Sequence, residues 1–318
     1  MGIEQRLPDE EDVLLKPGAP FLSDLSLRSI AAMLLLAVMW GLSIPVTKLG
    51  LVSLPPLTLT ALRFAIAVPL LIVLAWGKLA LPGYALVHSA ALGALGIGIG
   101  QVAQTFGVQG TSASVGTILS ATIPLFIVIF ASLRLKQGIT MRQGLGLAAA
   151  FAGMVLVASG QGEAADPLAR TSWVGVLWMM ISSLTIAFYY VWSVELTQSH
   201  GVESVVAWST LFGFLMLLPW AGWEMAQQPV NLTGEALVAA AYLGIVVTAA
   251  GLFLWLYILR HVPAGIAASV QYLQPVVGIM AASVMFGDSL GLIFAIGVAL
   301  ILAGLALAVS NQRKADRE

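Results

Sequence analysis

The chain has 318 residues, of which 59% are hydrophobic and only 9% charged, and its mean hydropathy is +0.98. This composition excludes an ordinary soluble domain and indicates a polytopic helical membrane protein. The net charge of −1 argues against a nucleic-acid partner, and the absence of cysteine excludes disulfides and thiolate metal sites.

The two ends of the chain are polar. Residues 1–28 are acidic and contain proline, and they are not apolar enough for a signal peptide, so we expect a solvated cytoplasmic tail. Residues 311–318 predict a second, charged tail. Neither end has the pattern of a folded domain, and the function is therefore expected in the membrane.

Apolar runs separated by short polar breaks predict ten membrane-spanning helices. The ninth run carries no charge and is long enough, at about 1.5 Å per residue, to cross a hydrocarbon core of roughly 30 Å. The predicted limits are 29–48, 57–77, 84–107, 112–134, 141–160, 173–195, 204–222, 235–259, 264–286 and 290–310.

The chain repeats itself after 151 positions, because 113–159 can be laid over 264–310 without a gap. Two halves of five spans follow, 29–160 and 173–310, joined by a periplasmic linker, 161–172. Since five is odd, the second half enters the membrane from the opposite side, an arrangement that many secondary transporters use. The superposed positions include Pro124 and Pro275, Gly146 and Gly297, and Gly153 and Gly304.

Lysine and arginine predict the orientation of these spans. With the amino terminus in the cytoplasm, all 14 except Lys48, Arg63 and Arg170 fall in cytoplasmic segments. Cytoplasmic loops are enriched in lysine and arginine, so both termini are expected on the cytoplasmic side.

The first two spans carry polar groups near their outer ends. Trp40, Ser43 and Thr47 form one stripe of a helix, which Pro45 interrupts. Arg63 lies about two turns inside the outer boundary of the second span. The sequence leaves two interpretations of this arginine open: it extends to the interface, or it guards a cavity or pairs inside the bundle.

The third and fourth spans combine small and polar residues. Gly96 and Gly100 have the small-xxx-small spacing of close helix packing, and no strand precedes them as a nucleotide-binding loop would require. Gln101 follows on the next turn, and Ser120 precedes Pro124. Hydroxyl groups in membrane helices often only bond local carbonyls, so each of them alone is a weak indicator.

The sixth and ninth spans supply the remaining candidates. Thr185 and Tyr189 lie at mid-depth on a polar and aromatic face of the sixth span. In the ninth span Gln271 and Gln274 flank Pro275, which leaves a helix carbonyl without its donor. Polar groups beside such a break indicate a helix that faces protein or a water-filled cavity.

Several kinds of chemistry find no support in the sequence. No Asp, Glu or His lies in the middle of a predicted span, which favours a facilitative carrier or coupling through a group that the sequence does not identify. Enzyme motifs such as HExxH, GxSxG and the P-loop are absent, so no enzyme activity, cofactor or metal is expected.

A family resemblance rests on short motifs spread over the ten spans: Trp40-Gly41, the LRF around Arg63, the two superposed prolines, the FGD that ends at Asp288, and the LAG that ends at Gly304. In these the chain resembles the EamA repeat of the drug/metabolite transporter superfamily. The resemblance implies ten helices in two inverted five-helix repeats around a central cavity. Gln274 departs from the family, in which an acidic residue often precedes the proline.

Within that superfamily the chain is most similar to small-metabolite exporters, including the YddG-type amino-acid exporters. The breaks at Pro45, Pro124 and Pro275 predict hinges between half-helices. The resemblance implies a substrate-binding cavity lined by Trp40, Ser43, Gln101, Ser120, Thr185, Tyr189, Gln271 and Gln274.

The expected function is export of amino acids or similar neutral or zwitterionic metabolites, by alternating access, from a monomer in the bacterial inner membrane. A drug or cationic-amphiphile exporter is the alternative, although no carboxylate at mid-depth would attract cations. A non-transporting receptor or scaffold is a third interpretation, which would not require an inverted repeat.

Overall fold

The computed structural model describes residues 27–135, 140–159, 170–261, 270–288 and 290–309, and within them the chain is helical with no strand. We number the helices in chain order and treat pieces separated by a kink as one. The first five are α1 (Leu27–Gly41 and Ser43–Gly50), α2 (Pro56–Leu74), α3 (Gly83–Gln109), α4 (Ala113–Ser120 and Ile123–Leu135) and α5 (Met141–Ser159).

The second half repeats this arrangement with one addition, a short helix, Val194–His200, between its first two long helices. The long helices are α6 (Trp173–Trp192), α7 (Val202–Gln227), α8 (Gly234–Ala241, Tyr242–Ala250 and Gly251–His261), α9 (Val270–Phe286) and α10 (Leu292–Val309).

Seven of the described helices, α1–α4 and α6–α8, are long and apolar enough to cross a membrane. Shorter apolar stretches lie in the other three, at Met141–Val157, Leu273–Phe286 and Leu292–Leu307. All ten helices begin and end within a few residues of a predicted span, except that 262–269, where the ninth span was expected to begin, lies outside the described residues. The prediction of an all-helical, polytopic membrane protein is confirmed.

Proline accounts for the kinks in α1 and α4. Pro45 has no N–H to give to the carbonyl of Gly41, and α1 is interrupted at the residue after that glycine. Pro124 stands in the same relation to Ser120, and α4 is interrupted over the next two residues. Pro275 differs, because it lies inside α9 without an interruption.

Two helices contain π-helical turns at equivalent positions of the two halves. The turns are Gly93–Ile99 in α3 and Tyr242–Ala250 in α8, and a shift of 151 residues lays 93–99 on 244–250. A π-helical turn inside an α-helix is rare and frequently accompanies a functional site. The coincidence supports the internal repeat inferred from the sequence.

Repeat-equivalent glycines also form the contact between α5 and α10. A Cβ atom on Gly153 would lie 2.6 Å from the carbonyl oxygen of Gly297, and one on Gly297 would lie 2.8 Å from the carbonyl oxygen of Gly153. A Cβ atom on Gly304 would likewise collide with the carbonyl oxygen of Gly146. Only glycine lets the two backbones come this close, the geometry of small-residue packing in membranes.

At one end of the bundle, which we call the closed end, a buried ammonium group joins α1 to the turn between α3 and α4. Lys48 is 2% exposed, and its Nζ donates to the carbonyl oxygens of Val108, Gln109 and Thr111 at 3.0, 3.2 and 2.6 Å. These carbonyls end α3, where the helix dipole favours a cation.

Two buried carboxylates at the closed end cap helices from the other half of the chain. Glu224 of α7 accepts from the backbone N–H groups of Leu57 and Thr58 at 3.2 and 2.7 Å, at the amino terminus of α2. Asp288 accepts from the N–H of Ser114 at 2.8 Å, in the first turn of α4. Each carboxylate meets the positive end of a helix dipole, and together they hold the closed end shut.

The opposite end, which we call the open end, is held by more exposed ion pairs. Lys78, in the segment after α2, pairs with Glu203 of α7 at 3.0 Å, and Arg134 of α4 pairs with Glu195 of the short helix at 2.7 Å. Ion pairs that water reaches contribute about 1 kcal/mol or less. The open end is therefore the more weakly tied of the two.

Candidate functional site

A cavity of about 570 Å³ lies at mid-depth between α1, α2, α3, α4, α6, α7 and α8. Its volume falls in the range of about 300–1,000 Å³ that is usual for small-molecule sites. From mid-depth it extends to the open end, where Ser193, Thr197 and Val202 form part of its wall. Its polar and charged side chains at mid-depth are Arg63, Gln101, Tyr189, Tyr190, Thr210 and Thr248.

Arg63 joins three helices at the end of this cavity that lies farther from the open end. Its Nε donates to Oγ1 of Thr248 at 3.0 Å, and its Nη1 donates to Oε1 of Gln101 at 2.8 Å. The Thr248 hydroxyl in turn donates to the carbonyl oxygen of Leu243 at 2.8 Å, inside the π-helical turn of α8. The guanidinium is thus fixed by neutral groups from α3 and α8.

A pair of threonines continues this polar contact one turn nearer the closed end. The hydroxyls of Thr60 and Thr105 are 2.9 Å apart, so one of them donates to the other. The hydroxyl that accepts donates its own proton to a carbonyl of its helix, that of Pro56 for Thr60 or that of Gln101 for Thr105. Because a hydroxyl group donates one hydrogen bond and can accept another, both threonines are paired at this contact between α2 and α3. It places Arg63 and Gln101 side by side.

Trp40 forms an aromatic wall of the cavity with Trp255, their ring centres 5.9 Å apart. The indole Nε1 of Trp40 donates to the carbonyl oxygen of Val247 at 3.1 Å, again in the π-helical turn. Gly251 makes this possible, because a Cβ there would collide with the Trp40 indole. Residues of both halves therefore fix the orientation of the ring.

Tyr189 and Tyr190 of α6 both line the cavity, with ring centres 6.0 Å apart. Tyr189 is 7% exposed and lies against Gly96, whose missing side chain leaves the space for the Tyr189 Cβ. Tyr190 is 50% exposed. An aromatic ring with a polar end suits a wall that must contact both apolar and polar parts of a ligand.

Equivalent positions of the two halves line the same cavity. With the shift of 151 residues, three lining positions of α3 correspond to three lining positions of α8. The pairs are Gly96 and Val247, Ile97 and Thr248, and Gln101 and Leu252. The cavity is thus lined by both π-helical turns and the residues that follow them.

Of the residues that the sequence nominated for substrate binding, Trp40, Gln101 and Tyr189 line the described cavity. Gln271 lies in α9, but its side chain is outside what the structure describes. Gln274 is half-buried, and its backbone carbonyl oxygen packs close to Gly41 of α1, not against the described cavity wall. The roles of Gln271 and Gln274 stay predictions.

Three further nominees lie away from the described wall of this cavity. Ser120 donates to the carbonyl oxygen of Thr117 at 2.7 Å, at the kink of α4. Thr185 donates to the carbonyl oxygen of Ile181 at 2.9 Å. Ser43 is half-buried at the start of the second piece of α1. Their binding roles also stay predictions.

The sequence placed Arg63 without deciding between its two interpretations, and the structure puts it on the cavity wall. Its partner Thr248 lies in α8, at the position that the shift of 151 residues makes equivalent to Ile97 in α3. Tyr190 was not predicted, because it lies off the helix face that carries Thr185 and Tyr189. Thr210 carried no signal in the sequence, because a single threonine in an apolar helix is common.

A comparison with protein families shows which family the chain belongs to. Residues 27–159 and 173–310 each match the EamA-like transporter family. The chain belongs to this family.

Known relatives of this EamA-like protein agree with the assignment. The uncharacterized inner membrane transporter YedA of Escherichia coli K12 is 26% identical, over 87% of this chain and 89% of YedA. A probable amino-acid metabolite efflux pump of Salmonella typhimurium is 27% identical, over 88% and 94%. A crystal structure with 22% identity and a TM-score of 0.61 covers 91% of this chain and 99% of its own, and supports the fold.

This EamA-like protein is therefore a multi-pass membrane transporter. The family, the named relatives and the apolar helices agree on this point. The resemblance read from the sequence motifs is confirmed, and so is the general class of function.

Proposed function

We propose that the protein exports amino acids or similar small zwitterionic metabolites across the inner membrane by alternating access. The observation that carries the proposal is the mid-depth cavity with an arginine and aromatic side chains on its wall, Arg63, Trp40, Trp255 and Tyr189. A carboxylate suits the guanidinium, and an ammonium group suits the face of an aromatic ring. The inner-membrane and amino-acid relatives support the same conclusion.

In this proposal all ten helices cross the membrane in two inverted repeats, 29–160 and 173–310, joined by the periplasmic linker 161–172. Residues 1–28 and 311–318 are cytoplasmic tails, as the distribution of lysine and arginine predicts. The open end then faces the cytoplasm, and the cavity can take up substrate there. The closed end faces the periplasm and must open to release it.

Alternating access requires helices that bend. We assign this role to the kinks beside Pro45 and Pro124, together with Pro275, because each proline removes one backbone hydrogen bond. The protein acts as a monomer in this scheme, since the cavity lies within one chain. Transport is facilitative, because no Asp or Glu lines the described part of the cavity wall.

A drug or cationic-amphiphile exporter is less well supported. Such a substrate would meet Arg63, a like charge, on the cavity wall, without a described carboxylate there to attract it. A receptor or scaffold would have no use for a cavity that reaches one end of the bundle.

The test is uptake of a panel of radiolabelled amino acids into proteoliposomes, with and without an imposed pH gradient. Saturable uptake without the gradient is expected. Uptake that needs the gradient would replace the facilitative mode with proton coupling. No uptake of any amino acid by folded protein would contradict the proposed function.

A further inference from the structure

The charge on the wall of the cavity is unbalanced. Arg63 lines it, and no Asp or Glu does so among the residues that the structure describes. Its described partners, Gln101 and Thr248, are neutral. A positive charge in a low-dielectric interior is stabilised most strongly by an anion. Because the described partners are neutral, an anionic ligand can supply the counter-charge.

The guanidinium also keeps hydrogen-bonding capacity. It has five N–H donors in a planar fork, and the two described hydrogen bonds use one at Nε and one at Nη1. A carboxylate can take two parallel N–H groups of such a fork, which gives geometric selectivity as well as attraction. An amide or ester in its place would accept more weakly and bring no charge.

The rest of the wall suits an apolar body. Trp40 and Trp255 form one aromatic surface and Tyr189 and Tyr190 another. An amino group placed among them would meet ring faces and hydroxyls instead of a described carboxylate. The site therefore offers an ion pair to one end of a zwitterion and only weaker contacts to the other end.

We infer that the transported class is defined by a free carboxylate held at Arg63 and attached to an apolar or aromatic body, and that an amino group is not required. The inference rests on the proposed function, because it takes this cavity as the substrate site. It extends the substrates from amino acids to monocarboxylates such as N-acylated amino acids, and it makes Arg63 the residue that determines specificity.

Three labelled probes of matched shape separate the charges: phenylalanine, N-acetylphenylalanine and phenylalaninamide. They are compared for uptake by the full-length protein in proteoliposomes. We expect the two carboxylates to be transported with values of kcat/KM within roughly fivefold of each other. The kcat/KM for the amide should be at least about tenfold lower than for the carboxylates, as expected for the loss of a charge-assisted contact.

Two arginine variants test the role of Arg63 itself. In Arg63→Gln the ratio of kcat/KM for N-acetylphenylalanine to that for phenylalaninamide should fall towards one. In Arg142→Gln, which removes an exposed arginine of α5 outside the described cavity wall, the ratio should not change. A merely structural role of Arg63 would lower all three rates together and leave the ratio intact.

The other outcomes of these experiments contradict separate parts of the inference. Equal transport of the amide and the carboxylates by the wild type, or an unchanged ratio in Arg63→Gln, overturns the inference and leaves amino-acid export standing. Uptake of phenylalanine without uptake of N-acetylphenylalanine shows that the amino group is required. Uptake of none of the three by folded protein overturns this inference, and the panel of amino acids then decides whether the proposed function falls with it.

Discussion

Glu224 illustrates how single side chains hold the closed end of this bundle. Its carboxylate accepts from two backbone N–H groups and from the Thr58 hydroxyl, and it is only 3% exposed. The first N–H groups of a helix have no partner within the helix, and in an apolar surrounding each unpaired group is costly. The carboxylate satisfies these groups of α2 from 166 positions away in the chain.

Glu224→Gln should therefore destabilise the protein. The amide keeps one acceptor oxygen but turns an NH₂ group towards a backbone donor, and the expected loss is about 1–3 kcal/mol in the free energy of unfolding. Thermal unfolding in detergent measures it. Glu235→Gln, at an exposed position in the first turn of α8, is the matched control. Equal melting temperatures for the two variants would contradict the capping role.

Gly251 allows a second prediction at this scale, because a Cβ there would collide with the Trp40 indole. Gly251→Ala should displace the ring from the cavity wall. The KM for the transported substrate should rise roughly fivefold or more, as expected for a displacement that costs about 1 kcal/mol. Gly222→Ala is the control, since its Cβ would meet nothing within 4 Å. An equal rise of the KM in both variants would contradict the role of Gly251 in placing the Trp40 ring.

Residue identities were predictable from the sequence more often than residue partners. Trp40, Gln101 and Tyr189 were predicted and do line the cavity, whereas the smaller hydroxyls of Ser120 and Thr185 bond carbonyls of their own helices instead. The partners of Lys48 and Glu224 could not be predicted. They are backbone groups of distant helices, and backbone groups leave no trace in a sequence pattern.

At the scale of helices, the apolar runs predicted the elements closely, because a spanning helix must be continuous and apolar. The superposed glycines predicted a repeat, and α5 and α10 meet through them. The π-helical turns of α3 and α8 were not predicted. Their hydrogen-bond register depends on tertiary contacts, such as the Trp40 and Arg63 bonds to α8, which an apolar pattern does not encode.

The glycine contact makes a prediction with a control on the same helix. Gly153→Ala places a Cβ 2.6 Å from the carbonyl oxygen of Gly297, so α5 and α10 must move apart, and overpacking of this kind costs about 1–3 kcal/mol. Gly144→Ala meets nothing within 4 Å and should be neutral or slightly stabilising. Melting temperatures in detergent compare them. A Gly153 variant as stable as the Gly144 variant would refute the packing described.

At the scale of the whole molecule, the two ends differ in how they are held. The closed end uses buried charges that bond backbone groups of other helices, whereas the open end uses ion pairs that are partly exposed. Buried charge-assisted hydrogen bonds are the stronger kind, and breaking one exposes an unpaired charge. Separating the helices at the closed end therefore costs more free energy than separating the ion pairs at the open end. We propose that binding of substrate supplies this free energy.

The closed end can be tested by a cross-link, because the chain contains no cysteine. The hydroxyl of Thr233, at the start of α8, donates to the Ser53 hydroxyl at 3.3 Å, so Ser53→Cys together with Thr233→Cys should form a disulfide across this end. If the closed end opens during transport, oxidation should reduce uptake to background and a reductant should restore it. The two single variants control for the substitutions themselves, including the loss of the Thr233 cap on α8. Unchanged uptake by fully cross-linked protein would mean that substrate leaves without separation of Ser53 from Thr233, and alternating access at this end would have to be abandoned.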